Sequence, residues 1–310
     1  MTPFARRGLA LFAAGLLGAC ASQPPEGDTR TGSPSRSAPL SWSQVQAMPL
    51  PAPGERLQYG PASPQYGELR LPAGAGPHPV VVMIHGGCWL SQFDLTYFSH
   101  LAAALTQQGF ATWSIEYRRI GDPDGGWPGT FLDVGAGIDH LRELAASRPL
   151  DLGRVATLGH SAGGQLALWA AIVDDAHILN LSDFHSRIRA VVGLAPITDM
   201  ETYRVGPDGS CHAAVDQVMG GSPDELGERY AAVSPAARLP LRVPLLLING
   251  ASDPIVSPES VEQFAQAAML ADDPVSLRIV AGEGHFDPVI PGGGSWLQIT
   301  GFLHAALDSD

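Results

Sequence analysis

The chain has no lysine. All 18 of its basic residues are arginine, set against 31 acidic ones, for a formal charge of −13 over 310 residues. An acidic balance without a basic cluster argues against nucleic acid or anionic lipid headgroups as partners and serves solubility. Cysteine is scarce as well, with three residues, far from a disulfide-dense scaffold. Cys211-His212 is an isolated pair without tetrahedral ligand spacing, so no metal is expected. The apolar stretch Gly8 to Ala19, 12 residues, is too short to cross a bilayer as a helix. No internal repeat is legible, and a second domain is not expected.

That apolar stretch follows a short basic start ending in Arg6-Arg7, the layout of a secretory signal over residues 1–19. It runs into Leu17-Gly-Ala-Cys20, which resembles the lipobox of bacterial lipoproteins. The resemblance implies a lipidated Cys20 as the new N-terminus and a membrane-anchored protein. Ala21 after the cysteine favours, by the same analogy, the outer membrane if the cell is Gram-negative. Ordinary cleavage near the same place, giving a secreted or periplasmic protein, is the alternative. Residues 20–54 are rich in Pro, Ser and Gly and read as a flexible tether, with Trp42, Val45 and Leu50 available to dock on the domain downstream. Residues 55–310 suffice for one α/β domain with a substantial core.

Within that domain two segments stand out. Val80-Val-Val-Met-Ile84 is a β-branched run that delivers His85-Gly-Gly-Cys-Trp89. Val155 to Leu158 is a second run, and it delivers Gly159-His-Ser161-Ala-Gly163 ahead of a helical stretch. Strand, turn and helix are the context in which Gly-x-Ser-x-Gly has meaning: small neighbours let the turn force Ser161 into a strained, exposed position. A serine hydroxyl is a poor nucleophile at neutral pH and needs a base, which in turn needs an orienting group. Two downstream apolar runs end in suitable loops. Val243 to Ile248 leads to Asp253, and Val275 to Val280 leads to His285. Both loops fall at the carboxyl edge of the strands, where open α/β sheets place their sites. Asp287, two residues past His285, is the rival acid.

Four motifs in this order resemble the α/β-hydrolase superfamily, from about Leu57 to the C-terminus. The His85-Gly-Gly-x-Trp89 form is similar to the esterase and kynurenine-formamidase-like branch. The resemblance implies a carboxylesterase, or an amidase, formamidase or exopeptidase on the same triad, with no cofactor and no metal. Its order assigns Ser161 as nucleophile, Asp253 as orienting acid and His285 as base. The oxyanion hole falls to Ala162 and to one or both of Gly86 and Gly87. By analogy His85 braces the oxyanion loop, and Glu116-Tyr117-Arg118 is structural at a strand end. Cys88 departs from the family, which commonly has a bulkier residue there. A surface binding protein that has lost catalysis is the remaining class of function.

Trp89, Cys88 and Trp127 are the candidate pocket residues for a small-molecule ester or amide; Trp127 reads equally well as core. His160 reads as packing, and His100, His140, His185 and His304 as surface or satisfied core positions. Cys88 and Cys211 either form a bridge or are free thiols. A bridge would pin the connection from Ala195 to Arg242, a short lid insertion, to the oxyanion loop. The alternation of strands and helices predicts a doubly wound, mostly parallel sheet. Among its elements are strands at 80–84, 111–116, 155–158, 190–194, 244–248 and 275–280, an edge hairpin at 57–71, and helices near 94–108, 131–147, 258–270 and 295–307.

Overall fold

In the computed structural model, the described residues are 38–172, 188–206 and 211–308. The signal segment, Cys20, the tether up to residue 37 and His185 lie outside them. The described residues fall within one compact unit, Arg36–Asp310.

The sheet has eight strands in the order β1-β2-β4-β3-β5-β6-β7-β8. They are β1 (Glu55–Gln58), β2 (Tyr66–Arg70), β3 (His78–Ile84), β4 (Ala111–Ile115), β5 (Leu150–His160), β6 (Ile188–Leu194), β7 (Leu245–Gly250) and β8 (Val275–Val280). The hairpin β1-β2 is antiparallel and joins β4 antiparallel; every other pairing is parallel. Parallel strands are covered on both faces, which is why β3 reads as an unbroken apolar run. All seven of its residues are buried. Alternation then deals them to two cores. Val80, Val82 and Ile84 join one cluster with Phe131, Leu166 and Val215, while Val81 and Met83 join the other with Phe98, Leu101 and Leu303. Each such side chain contributes about 1.5–3 kcal/mol relative to exposure.

Helices α2 (Ser99–Gln107), α3 (Gly129–Asp139), α4 (Leu141–Ala145), α5 (Ala162–Trp169), α9 (Pro258–Leu270) and α10 (Gly294–Leu307) follow the expected alternation. A 3₁₀ turn, Leu95–Phe98, precedes α2 with Asp94 capping it through Thr96 N. The expected helix over 131–147 is two pieces that meet at His140. The lid insertion carries α6 (Met200–Tyr203), α7 (His212–Met219) and α8 (Pro223–Val233).

The start of the packed region differs from the sequence reading. A short helix, α1 (Trp42–Gln46), lies inside the stretch expected to be tether. Ser41 and Gln44 form a capping box, which satisfies two otherwise orphaned N–H groups. Val45 and Leu40 are buried in the core cluster that holds Val81. Leu50, the third residue expected to dock, is exposed. Two apolar side chains and one capped turn outweigh the entropy of a Pro-rich segment, so docking begins well before residue 55.

Candidate functional site

Ser161 has φ 56° and ψ −120°, between the end of β5 and the start of α5. A non-glycine residue held there stores about 1–3 kcal/mol of strain, which the surroundings must over-determine. They do: Ser161 N–H donates to the Leu194 carbonyl on β6 (2.9 Å), and its own carbonyl accepts from Gly164 N (2.9 Å) and Gln165 N (3.2 Å). The flanking glycines permit the close approach. A Cβ on Gly159 would come 2.0 Å from the Gly163 carbonyl oxygen, and one on Gly163 would come 2.1 Å from that of Ile84.

His285 Nδ1 is 2.7 Å from Asp253 Oδ2. The other oxygen of Asp253 accepts from Ile255 N (2.8 Å) and Val256 N (3.0 Å), so its carboxylate is held by the turn that follows β7. Asp287 does not compete for the ring. Its Oδ2 accepts from Gly284 N (2.8 Å) and from Leu40 N (3.0 Å), tying the His285 loop to the segment ahead of α1.

Ser161 and His285 line one cavity of about 250 Å³. Gly87 and Cys88 form the side nearest the oxyanion loop, with Cys211 facing them from the lid. Trp42, Phe93, Tyr97, Ile255 and Phe286 make up an apolar wall, and His160 contributes from the elbow itself. Cys88 and Cys211 are joined in a disulfide with Cα atoms 5.1 Å apart, so the lid is pinned to the oxyanion loop. A larger cavity, about 550 Å³, lies beside Glu116 and Arg119 and does not include Ser161.

Two expected pocket residues are elsewhere. Trp89 is fully buried in the core, its indole N–H 3.3 Å from Gln165 Oε1. Gly87, Cys88 and Trp89 all have positive φ, a tight left-handed turn that sends Cys88 to the cavity and Trp89 inward. Trp127 packs on Phe131 with the rings tilted at 57° and the Arg229 guanidinium over its own ring, away from the cavity.

Of the two glycines left open for the oxyanion hole, one has its donor engaged. Gly86 N–H donates to the Tyr97 hydroxyl (2.7 Å) and is therefore occupied. Among the hydrogen bonds of the described residues, none uses the N–H of Gly87 or of Ala162. Gly87 lines the cavity, and Ala162 follows Ser161 directly at the start of α5.

His160 is also more than packing. Its Nδ1 is 2.9 Å from the Tyr97 hydroxyl, and its Nε2 donates to the His285 carbonyl (2.9 Å). Since a carbonyl can only accept, the proton sits on Nε2, and Nδ1 takes the Tyr97 O–H. The result is a directed chain, Gly86 N–H to Tyr97 to His160 to His285, joining the oxyanion loop to the loop of the expected base. Burial, with the neighbouring His285 ring adding to it, holds His160 well below the ordinary imidazole value, against the opposite pull of the His285 carbonyl. Burial likewise raises the Tyr97 phenol, opposed by the Gly86 N–H.

On the far side, His85 Nε2 is 3.0 Å from Glu116 Oε1 and its ring stacks on Tyr117. Glu116 also accepts from Leu95 N (3.0 Å) and pairs with Arg119 (2.8 Å). The Tyr117 hydroxyl donates to the His85 carbonyl (2.8 Å), and Arg118 pairs with Asp133 (2.7 Å). These residues brace the loop from below.

Sequence reasoning missed Phe93, Tyr97, Ile255 and Phe286 as cavity residues, and took Trp42 only as a docking residue. Only Phe286 carried a signal, by standing next to His285.

Comparison with known proteins gives a consistent result. The family model described as BD-FAE matches residues 68–268. Esterase LipC of Mycobacterium tuberculosis is 26% identical over 217 residues, 67% of this chain. The chain spans about half of that relative's own length, 53%. Among solved structures, a truncated carbohydrate esterase from gut microbiota superposes with a TM-score of 0.70 at 20% identity, covering 88% of this chain and 100% of the other. Thermogutta terrifontis esterase 2 phosphonylated by sarin gives 0.67 at 20%, covering 86% and 95%. The shared architecture is the α/β-hydrolase fold.

Proposed function

The chain belongs to the BD-FAE family of α/β-hydrolase esterases, and from that we propose that it cleaves carboxylic esters of small molecules through Ser161, His285 and Asp253. The observation that carries this reading is the strained Ser161 sharing one cavity with a histidine whose Nδ1 lies 2.7 Å from a buried aspartate. The esterase names of the relatives support it.

His285 Nε2 takes the Ser161 proton as Oγ attacks the ester carbonyl. Asp253 fixes the ring so that Nε2 is the free nitrogen and stabilises the imidazolium that forms. The N–H groups of Gly87 and Ala162 receive the charge that grows on the carbonyl oxygen, each donor supplying on the order of 100- to 1000-fold in rate. The same imidazolium protonates the departing alcohol. Water then attacks the acyl-enzyme with His285 again as base.

The test is hydrolysis of p-nitrophenyl esters from C2 to C12, with Ser161→Ala as control. Turnover that vanishes in the variant supports the proposal. Turnover that survives it, or activity on amides with none on esters, overturns it.

We also propose that Cys20 is lipidated and anchors the protein at the bacterial cell envelope; its position directly after the apolar leader core supports this. More than one acyl chain on that residue would suffice for stable anchoring. Mass spectrometry of the mature N-terminal peptide decides it: unmodified Cys20, or cleavage elsewhere, removes the anchor.

A further inference from the structure

The cavity beside Ser161 is small for a ligand site. At about 250 Å³ it falls below the roughly 300–1,000 Å³ of typical pockets. What ends it is an aromatic wall, and one member of that wall comes from outside the α/β repeat. The Trp42 ring centroid lies 5.4 Å from each of Phe93, Tyr97 and Phe286. A second cavity, also about 250 Å³, shares Trp42, Phe93 and Tyr97 with the first and is lined besides by Gln46, Gln92 and Asp94. The three aromatics are thus a partition between two spaces. Phe93 and Tyr97 belong to the oxyanion side of the domain, and Tyr97 is held by Gly86 and His160. Trp42 is held by less: a five-residue helix, its capping box, buried Val45, and the Leu40–Asp287 hydrogen bond.

We propose that Trp42 is the specificity-determining residue of the site, setting the length of the apolar chain admitted beside Ser161. Trp42 blocks an ester chain from running on into the second cavity. With the indole removed, the two cavities join, and the combined volume enters the range of ordinary ligand pockets. Trp42 touches no reacting atom and acts through which chains fit, so its effect is read as a ratio between long and short esters. This inference rests on the esterase reading above.

The experiment measures kcat/KM for Trp42→Ala and the unaltered protein on two series. One varies the acyl chain from C2 to C12 with a constant leaving group; the other varies the alcohol from C1 to C8 on a constant acetate. Active sites are titrated with a fluorophosphonate, so that each rate refers to competent Ser161. The expected result is a C8-to-C2 ratio of kcat/KM per titrated site at least tenfold higher in one series; a methylene that fits or fails to fit an apolar pocket is worth about tenfold or more. The series that responds identifies which side of the ester faces Trp42. An unchanged ratio in both series overturns the inference and leaves the esterase reading standing. If the unaltered protein hydrolyses no ester at all, both fall. Should Trp42→Ala fail to fold, Trp42→Phe decides: it retains an aromatic against Phe93 and Phe286 but is shorter, and a ratio that does not move in it overturns the inference equally.

Discussion

Tyr97 accepts the Gly86 N–H on its hydroxyl at 2.7 Å, so the loop proposed to present donors to an oxyanion is held by a side chain from the 3₁₀ turn ahead of α2. Through His160 that hold reaches the His285 carbonyl. Tyr97→Phe keeps the ring and cuts the chain at its middle. The expected result is a fall in kcat of about ten- to a hundredfold with KM little changed, because geometry at the reacting atoms is lost and ground-state binding is not. Leaving a buried N–H unpaired also costs about 1–3 kcal/mol, readable in a urea titration. Unchanged kcat would mean the chain is packing alone.

The two aspartates near His285 divide the work. Asp253→Asn removes the acceptor that fixes the imidazole tautomer and should lower kcat by about 10³- to 10⁴-fold. Asp287→Asn keeps an oxygen for Leu40 and Gly284 and should leave kcat within a few-fold while lowering the melting temperature. Steady-state kinetics on a C2 ester compares them. The opposite ranking would reassign the acid.

His160 makes the fold sensitive to acid. Its folded value is depressed, so between the ordinary imidazole value of about 6.5 and that lower value the unfolded chain binds a proton that the native one refuses. The stability it contributes is complete above about pH 6.5 and is lost as pH falls below it, by up to about 1.4 kcal/mol per pH unit. Denaturation curves from pH 8 to pH 4 should show this slope, and His160→Gln should flatten it. An identical slope in the variant would assign the acid sensitivity elsewhere.

The Cys88–Cys211 bridge spans 123 residues of sequence and ties the lid to the oxyanion loop. Removing a native disulfide typically costs about 2–5 kcal/mol. The double variant Cys88→Ser, Cys211→Ser, or reduction of the parent, should lower the melting temperature and reduce kcat, since Gly87 adjoins Cys88. Equal kcat in both states would confine the bridge to stability.

Most of the scaffold was legible because its signals are local. The β8 strand and α9 helix match their expected bounds, 275–280 and 258–270, since periodicity and Gly- or Pro-rich flanks lie within each segment. Ser161, Asp253 and His285 were legible for a similar reason: each follows an apolar run in a short loop. The cavity was not. Trp42, Phe93, Tyr97 and Ile255 meet only through the topology, and none carries a neighbouring motif. Trp89 misled because a motif residue next to the oxyanion loop invites a pocket role, while three successive positive φ angles turn it into the core. Which of Gly86 and Gly87 has a free donor was not legible, because the Gly86 donor is consumed by a tyrosine eleven residues on, a pairing that no pattern announces.

The placement of α1 bears on how the protein is handled at the bench. A chain trimmed at residue 55, where the Pro-rich composition gives way to the first strand, would lack Leu40, Trp42 and Val45 and would expose the aromatic faces they cover. Substrate profiles recorded on such a truncation would describe the cut, while a start near residue 36 keeps the native wall in place.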